Sequence, residues 1–177
     1  MNATQKKNLS SIFKALHKVT AGKKDPRAHL ERVSVTRHED GAVRLEATDG
    51  VRLVRATVPQ SLVGDVAAGR YDAKRSAALL TAGAEIAPEP DDGMPWPNLS
   101  QVIPEKHDHY GAVAHYNAAL LSETIAVVVD LLVAAECSKK TAAVRVQLGT
   151  EKISPCRLDG VGVSDAEVVA VVMPYRV

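Results

Sequence analysis

The residues best suited to metal chemistry lie in the middle of the chain. The segment "HDHYGAVAH" places His107, Asp108, His109 and His115 close together. Imidazole and carboxylate groups are common zinc ligands, so a metal site is one interpretation. The spacing is loose, however, and no carboxylate-rich partner segment is evident. A solvated connector explains these residues better, and we predict neither a metal nor a cofactor.

Nucleophilic and phosphate-binding patterns are also missing from the sequence. Cys137 and Cys156 lie 19 positions apart without a metal-ligand spacing, which indicates two buried thiols in a reducing cytosol. Ser61 and Ser122 stand in no nucleophile-elbow context. No glycine-rich phosphate loop occurs. We therefore predict that the protein is not an enzyme.

Composition indicates an intracellular globular chain of one ordinary domain or two small ones. Its 177 residues are 46% apolar and 24% charged, with only 3% aromatic residues, so the core must be built from Val, Leu, Ile and Ala. The net charge of +1 excludes a global basic field, and nucleic-acid contact would need a local basic surface. No signal peptide is evident, and polar residues interrupt the apolar stretch 118–135. We predict a cytoplasmic protein without a membrane span.

The first unit, residues 1–59, is predicted to be one helix followed by an antiparallel three-stranded meander. In "KKNLSSIFKALHKV" a single apolar stripe recurs at helical spacing. The segments "HLERVSVTR", "AVRLEAT" and "VRLVRATV" alternate as strands do, and "HEDG" and "DG" are turn signals between them.

A second unit, residues 110–177, repeats this order after a connector. The connector, residues 60–109, carries a short helix over 74–81 and a Pro-rich stretch with little periodicity. The second unit has a leading strand "GAVAHYN", a helix over 118–135 capped by Asn117, and the strands "AAVRVQLG", "EKISPCRL" and "AEVVAVVMPYRV". Two such halves side by side predict one α+β domain with helices on one face of a continuous antiparallel sheet.

Three segments resemble the bacterial DNA polymerase III sliding clamp, or beta clamp, in the family's own order. They are "VRLEATDGVRLVRATVP", "MPWPNLSQVIP" and "VVAVVMPYRV". In that family they correspond to an "ATDxxRLA…P" strand–turn–strand in the middle domain, a "(F/Y)P(D/N)YRRVLP" linker and a final "VVMPMRL". The segments "DPRAHLERVSV" and "GAVAHYNAALLSETI" are similar too. The resemblance implies a shortened clamp that keeps parts of the middle and last domains.

The resemblance also implies a pocket for a linear peptide motif of Gln plus aliphatic and aromatic residues, carried by polymerases and repair proteins. The matching positions here are Arg27, Leu30, Thr48, Gly50, Val51, Arg52, Leu53, Pro97, Gln101, Val102, Val171, Val172, Met173, Pro174, Tyr175, Arg176 and Val177. We expect an apolar cleft formed by Leu30, Leu53, Val102, Val172 and Met173.

Other pocket positions have expected supporting roles. Pro97 and Pro174 would fix the rims, Gly50 would let the turn approach the peptide, and Arg52 and Arg176 would donate to it. The linker departs from the family where Ser100 and Gln101 replace paired arginines, and Tyr175 replaces a methionine. Without the resemblance, the same valines and leucines are better explained as strand core.

In clamps the helices face double-stranded DNA and contact phosphates without reading bases. The basic residues that could do so here are Lys7, Lys14, Lys18, Lys23, Lys24, Lys74 and Arg75. The second helix has no basic residue and carries Glu123 and Asp130. Known clamp rings contain twelve such halves, so a chain with two halves would need six copies in head-to-tail contact.

The sequence thus favours a reduced processivity factor that binds polymerase and clamp-loader peptides and surrounds DNA as a homo-oligomer. The alternative is an adaptor or competitor that binds the same peptides without surrounding DNA. An unrelated enzyme that uses the histidine cluster is the remote third reading.

Overall fold

The computed structural model describes residues 1–22, 25–104, 116–138, 141–147, 155–162 and 166–174. Helix α1, Ala3–His17, begins earlier than the apolar stripe alone indicates. A capping box explains this start: the Asn2 side chain accepts from the Gln5 N–H, and the Gln5 side chain accepts from the Asn2 N–H, both at 2.9 Å.

The first half forms the predicted meander. Strands β1 (Arg32–Arg37), β2 (Ala42–Thr48) and β3 (Arg52–Pro59) pair antiparallel in sequence order. The short helix α2, Gln60–Val63, follows directly. Strand β4, Gly69–Asp72, then pairs with β1 and was not predicted, since four residues are too few to show an alternation.

The second half joins the first through its last strand. Helix α3 spans Ala73–Thr81 and helix α4 spans Ala118–Ala134, the latter capped by Asn117 as predicted. Strands β5 (Ala143–Gln147), β6 (Cys156–Val161) and β7 (Glu167–Val172) follow. Because β7 pairs with β3, the order β4-β1-β2-β3-β7-β6-β5 is one continuous seven-stranded antiparallel sheet.

Helices α1, α3 and α4 cover one face of this sheet, which confirms the predicted α+β architecture. The core between the layers is built from Val, Leu, Ile and Ala side chains, with one ring contact between Phe13 and Tyr71 at 5.6 Å. Cys137 and Cys156 are both buried and free, as predicted. Burial raises the pKa of the Cys156 thiol to about 11.

The opposite, outer face is crossed by residues 85–104, here called the strap. Arg70 and Arg32 both bind Asp92 of the strap, Arg55 donates to Ser100 Oγ at 3.0 Å, and Arg157 donates to the Pro104 carbonyl at 2.5 Å. The strap contains the 3₁₀ turn Leu99–Gln101. A segment without periodicity is thus held in place by arginines that reach it from four strands.

The start of the strap closes the β4 edge of the sheet. The Glu89 N–H donates to the Arg70 carbonyl at 2.7 Å, and Pro88 lies against Gly69. A Cβ placed on Gly69 would lie 2.5 Å from Cβ of Pro88. Since proline has no N–H, the flanking Pro88 and Pro90 cannot continue a ladder outward.

Two further predictions from the sequence concern a membrane span and a metal site. Among the described helices, none is long and apolar enough to cross a bilayer. Within the described ranges, no cluster of three or more His, Cys, Asp or Glu could hold a metal ion. The histidine segment 107–115 and most of the predicted leading strand 111–117 lie outside those ranges.

Candidate peptide-binding groove

A groove of about 350 Å³ opens on the outer face, where the β2–β3 turn, the strap and the end of β7 meet. It combines residues from the loop before β1, from that turn, from the strap and from β7. The lining residues are Arg27, His29, Leu30, Thr48, Gly50, Val51, Arg52, Leu53, Pro97, Leu99, Val102, Val171 and Met173.

The groove gathers most of the positions that the sequence motifs indicated. All the residues from Thr48 to Leu53 that were predicted line it, as do Pro97, Val102 and Met173. Two lining residues were missed. His29 lies in the 3₁₀ turn Ala28–Glu31, and Leu99 begins the turn of the strap; the only signal for Leu99 was an apolar side chain in a polar, Pro-rich stretch.

The floor of the groove is a small apolar cluster separate from the main core. Leu53, Leu99 and Val171 are buried together, with Trp96 and Ile103 packed against them. Val51, Val102 and Met173 are also in the lining and are 45%, 41% and 38% exposed. Large apolar side chains exposed around a concave apolar floor are typical of a surface that binds a partner.

Three predicted residues do not line the groove, and Val172 is the clearest correction. Successive strand side chains face opposite sides of a sheet, so Val171 lies in the groove and Val172 lies fully buried in the core under the helices. Gln101 is exposed and Pro174 is half-buried, and neither forms part of the lining. Tyr175, Arg176 and Val177 lie outside the described residues.

The β2–β3 turn that forms one wall is rigidly built. Asp49 Oδ1 accepts from the N–H groups of Val51 and Arg52, both at 2.9 Å, and Thr48 Oγ1 accepts from the Gly50 N–H at 3.0 Å. The Met173 N–H donates to the Val51 carbonyl at 3.0 Å, which ties the end of β7 to the turn. Few backbone groups of the turn are left to rearrange when a ligand binds.

Gly50 is required by this turn for two reasons. Its φ is +84°, in the left-handed region that side chains disfavour. A Cβ at this position would also lie 2.1 Å from Nη1 of Arg27. A side chain at position 50 would therefore displace the end of the Arg27 side chain from the turn.

Arg27 lies at the rim as part of an ion pair. Its guanidinium donates to Asp25 through Nε and Nη2, at 2.9 and 2.8 Å, and Nη2 also donates to the Asp49 carbonyl at 2.9 Å. These hydrogen bonds lower the pKa of Asp25 to about 2. The charge at this end of the groove is therefore balanced at neutral pH.

Arg52 is held by intramolecular partners, which changes its expected role. Its side chain is 9% exposed, and the guanidinium binds Asp49 Oδ2 at 2.9 Å, Glu123 Oε2 at 2.8 Å and the Lys18 carbonyl at 2.8 Å. Each guanidinium nitrogen already has an acceptor. Arg52 thus positions the turn against α1 and α4 instead of offering a free donor to a ligand.

The basic residues predicted to face DNA line different depressions or are paired with acidic side chains, where the structure describes them. Lys7 and Lys14 line a second groove, of about 480 Å³, between α1 and α3. Lys18 is paired with Asp130 of α4 at 2.8 Å. Lys74 and Arg75, in the first turn of α3, line a separate cavity. Lys23 and Lys24 lie outside the described residues.

Sequence comparison alone finds no relatives: no protein-family model matches the chain, and no curated protein does. Solved structures do match. The sliding clamp of Pseudomonas aeruginosa, solved with a ligand, superposes with a TM-score of 0.62 over 98% of this chain, at 16% identity. The chain has the fold of a bacterial sliding clamp. This match spans 65% of the length of that clamp subunit.

Two further sliding-clamp structures superpose on the chain about equally well. The griselimycin-bound DNA polymerase III beta subunit of P. aeruginosa superposes with a TM-score of 0.61 at 17% identity, over 97% of this chain and 64% of that subunit. The corresponding clamp of Bartonella birtlesii, also bound to griselimycin, gives a TM-score of 0.60 at 16% identity, over 97% of this chain and 65% of that subunit. The clamp architecture suggested by the three sequence motifs is thus confirmed.

Proposed function

We propose that this protein is a reduced sliding-clamp-like accessory factor that binds short peptide motifs of polymerases and other DNA replication proteins. The observation that carries the proposal is the groove, because residues matching three clamp-like segments, far apart in sequence, meet around one apolar floor. The clamp fold supports the same reading. The protein acts by binding, without a catalytic step of its own.

The groove suits a motif with aliphatic and aromatic side chains. Such a side chain would cover Leu53, Leu99 and Val171, while the flexible Met173 adapts its shape to the bound residue. Gly50 lets the Arg27 side chain pack against the turn at the rim of the groove. Since the turn is already fixed by its hydrogen bonds, binding orders few protein groups and costs little conformational entropy.

Peptide titration by calorimetry tests this proposal. A peptide with Gln followed by aliphatic and aromatic residues should bind the wild-type protein, and Met173→Ala should weaken binding about tenfold, the loss of one well-packed apolar contact. Met94→Ala is the matched control, because Met94 is 50% exposed on the strap but outside the groove. Griselimycin, which two of the similar clamps bind, is a second probe. Equal affinities for both variants would refute the groove assignment.

In the first version of this function, the protein surrounds DNA as a homo-oligomer and tethers a polymerase to it. Lys7 and Lys14 support this version, because they line one groove on the helix side, where phosphates would be contacted. Binding of duplex DNA should weaken steeply as salt rises, and Lys7→Ala/Lys14→Ala should reduce that salt dependence. DNA binding that is insensitive to salt would exclude the phosphate contacts.

The second version, an adaptor that binds the same peptides without surrounding DNA, is favoured by the closed β4 edge. A head-to-tail ring built by extending the sheet needs two edges that accept a strand, and Pro88 and Pro90 block one of them. Primer extension separates the two versions. A processivity factor lengthens the products of a dilute polymerase, whereas an adaptor leaves their length unchanged or shortens them by competition.

A further inference from the structure

The groove contains a polar side chain whose hydrogen-bonding groups are not used by the protein itself. The polar side chains described in its lining are those of Arg27, His29, Thr48 and Arg52. Both arginines are held in ion pairs, and Thr48 Oγ1 donates to the Arg52 carbonyl at 2.8 Å and accepts from the Gly50 N–H. Within the described ranges, the imidazole of His29 forms neither a hydrogen bond nor an ion pair.

The backbone that carries this imidazole is well fixed. His29 is half-buried in the 3₁₀ turn Ala28–Glu31, which closes where the Leu30 N–H donates to the Arg27 carbonyl at 2.9 Å. Leu30 is 3% exposed, and its carbonyl accepts from the Ala21 N–H at 2.9 Å. The imidazole therefore lies on an ordered support at the edge of the groove.

A peptide that fills the groove also removes water from His29. The imidazole belongs to the same lining as Leu53, Leu99 and Val171, the apolar floor that a bound side chain covers. A polar group that loses water without gaining a hydrogen-bond partner lowers the affinity of the complex. A ligand that supplies a partner for His29 is therefore favoured over an equally apolar ligand that does not.

The charges around His29 suit an acidic partner group. In the described part of the lining, every ionisable side chain is basic: His29, Arg27 and Arg52. The carboxylates of Asp25 and Asp49 are outside this lining and are occupied by the two arginines. The strap and the end of β7 contribute only apolar side chains to the lining as described. A carboxylate that enters the groove thus meets basic and apolar side chains.

Two further carboxylates lie near these elements but not in the groove lining. Glu123 of α4 binds Arg52, and Glu31, in the same turn as His29, lines a separate cavity with Arg32. Neither is among the residues that line the groove. An acidic side chain of a bound peptide would therefore be the carboxylate that faces His29 from within the groove.

The charge of His29 is the one most open to change near neutral pH. Histidine gains its positive charge between about pH 8 and pH 5. Asp25 lies close enough for its charge to interact with His29, and hydrogen bonds from Arg27 lower the pKa of Asp25 to about 2, so Asp25 stays ionised throughout this range. Asp25 and Arg27 act on the imidazole with opposite signs, so an added carboxylate shifts the balance towards the charged form.

We propose that His29 selects the peptides that bind this groove, because its charged imidazole binds the carboxylate of an acidic side chain beside the aliphatic and aromatic residues of the peptide. The inference rests on the proposed function and names the chemistry of the partner. Binding of such a peptide takes up a proton, so its affinity rises as the pH falls from about 8 to about 5.5. A peptide without an acidic side chain binds through the apolar floor, with little dependence on pH.

Calorimetric titration with a peptide panel tests this proposal on the full chain. Each peptide contains Gln with aliphatic and aromatic residues, has an amidated C-terminus, and carries one Asp at a successive position; a matched peptide has Asn there. We expect one Asp peptide to bind about fivefold more tightly at about pH 5.5 than at about pH 8, the gain of a partly exposed ion pair. Its Asn counterpart should bind equally at both.

Two variants assign the response to the imidazole. His29→Gln keeps hydrogen-bonding groups but has no titratable ring, so it should abolish the pH response and change the affinity for the Asn peptide by less than about twofold. His17→Gln is the matched control, because His17 is exposed at the end of α1 and lies outside the groove lining. It should retain the full response. Circular dichroism verifies that both variants are folded.

The outcomes separate this inference from the proposed function. If every Asp peptide and its Asn counterpart bind with the same pH dependence, or if His29→Gln keeps the response, the inference is overturned while peptide binding stands. A response that appears only in peptides with a free C-terminus would overturn the assignment to an acidic side chain. If no peptide of the panel binds at either pH, the proposed function and this inference both fail.

Discussion

The two faces of the sheet are covered by different means. On the helix side, the side chains of α1, α3 and α4 form one continuous apolar core with the strands. On the outer side, the cover is a strap held by arginine contacts and by the small cluster of Leu53, Leu99 and Val171. One face therefore supplies most of the buried apolar contact, while the other positions a wall of the groove.

Physical magnitudes support this division. Apolar burial contributes roughly 25 cal/mol per Å², and the helix side has most of the buried apolar side chains. Ion pairs at partly exposed positions, such as Arg32 with Asp92, contribute about 0–1 kcal/mol each. Changes on the helix side should therefore unfold the protein, and changes on the outer side should alter the groove first.

Leu45→Ala should have the largest effect. Leu45 is fully buried on the helix side, and its truncation leaves a cavity that costs about 3 kcal/mol of unfolding free energy. Urea denaturation followed by circular dichroism measures this loss. Leu99→Ala, on the outer side, is the matched truncation and should cost less while weakening peptide binding more. Equal losses of stability would remove the distinction between the faces.

Gly50→Ala should come next, at about 2 kcal/mol, with a loss of peptide affinity. The added Cβ meets both an unfavourable φ of +84° and the Arg27 guanidinium. Gly41→Ala is the control, because Gly41 has a φ of +82° with nothing near its Cβ position. It shares the backbone strain alone and should leave peptide binding intact. If both variants bind peptide equally, contact between Gly50 and Arg27 does not shape the groove.

Alkaline pH should weaken the helix side through Cys156, by an amount of order 1 kcal/mol. The pKa of this thiol is about 11 in the folded protein and 9.0 when unperturbed, so burial disfavours the thiolate. The contribution of the neutral thiol to stability is fully present below pH 9 and is lost as the pH rises towards 11. Urea midpoints across this window should fall for the wild type and fall less for Cys156→Ala. If the urea midpoints of the two proteins fall equally with pH, the loss of stability does not come from Cys156.

Ser100→Ala should have the smallest effect on stability, about 0.5 kcal/mol. It removes the acceptor of the Arg55 contact to the strap and leaves the 2.6 Å pair of Arg55 with Glu46 in place. Hydrogen exchange should nevertheless become faster in residues 94–104, because this part of the strap loses an anchor. Unchanged exchange there would show that the apolar cluster alone holds the strap.

Much of the fold could be predicted from local patterns. The stripe of α1 and the alternation of β1 to β3 follow directly from one-sided burial, so their elements were found with small errors at the ends. Strand β4 was missed because its four residues show no period. The path of the strap was not predictable either, since it depends on arginines that are distant in sequence.

The groove was predicted well where its residues are adjacent in sequence, as from Thr48 to Leu53. The error at Val172 has a physical cause. Residues Val168–Val172 are buried on both faces of the sheet, under the helices on one side and the strap on the other. A strand buried on both faces is apolar at every position, so its sequence does not indicate which side chains face the groove.

The position of β7 in the sheet implies that its pairing with β3 forms late in folding. It is the last strand to be synthesised of the seven, yet it lies between β3 and β6, pairing Leu53 with Val171 across most of the chain length. Such distant pairing forms slowly, and until it does the edge of β3 stays uncovered. Arg52 and Arg55, placed within that strand, are the charges that would discourage intermolecular pairing during this interval. The same two arginines that hold the turn and the strap in the folded protein would thus also protect the chain before its sheet is complete.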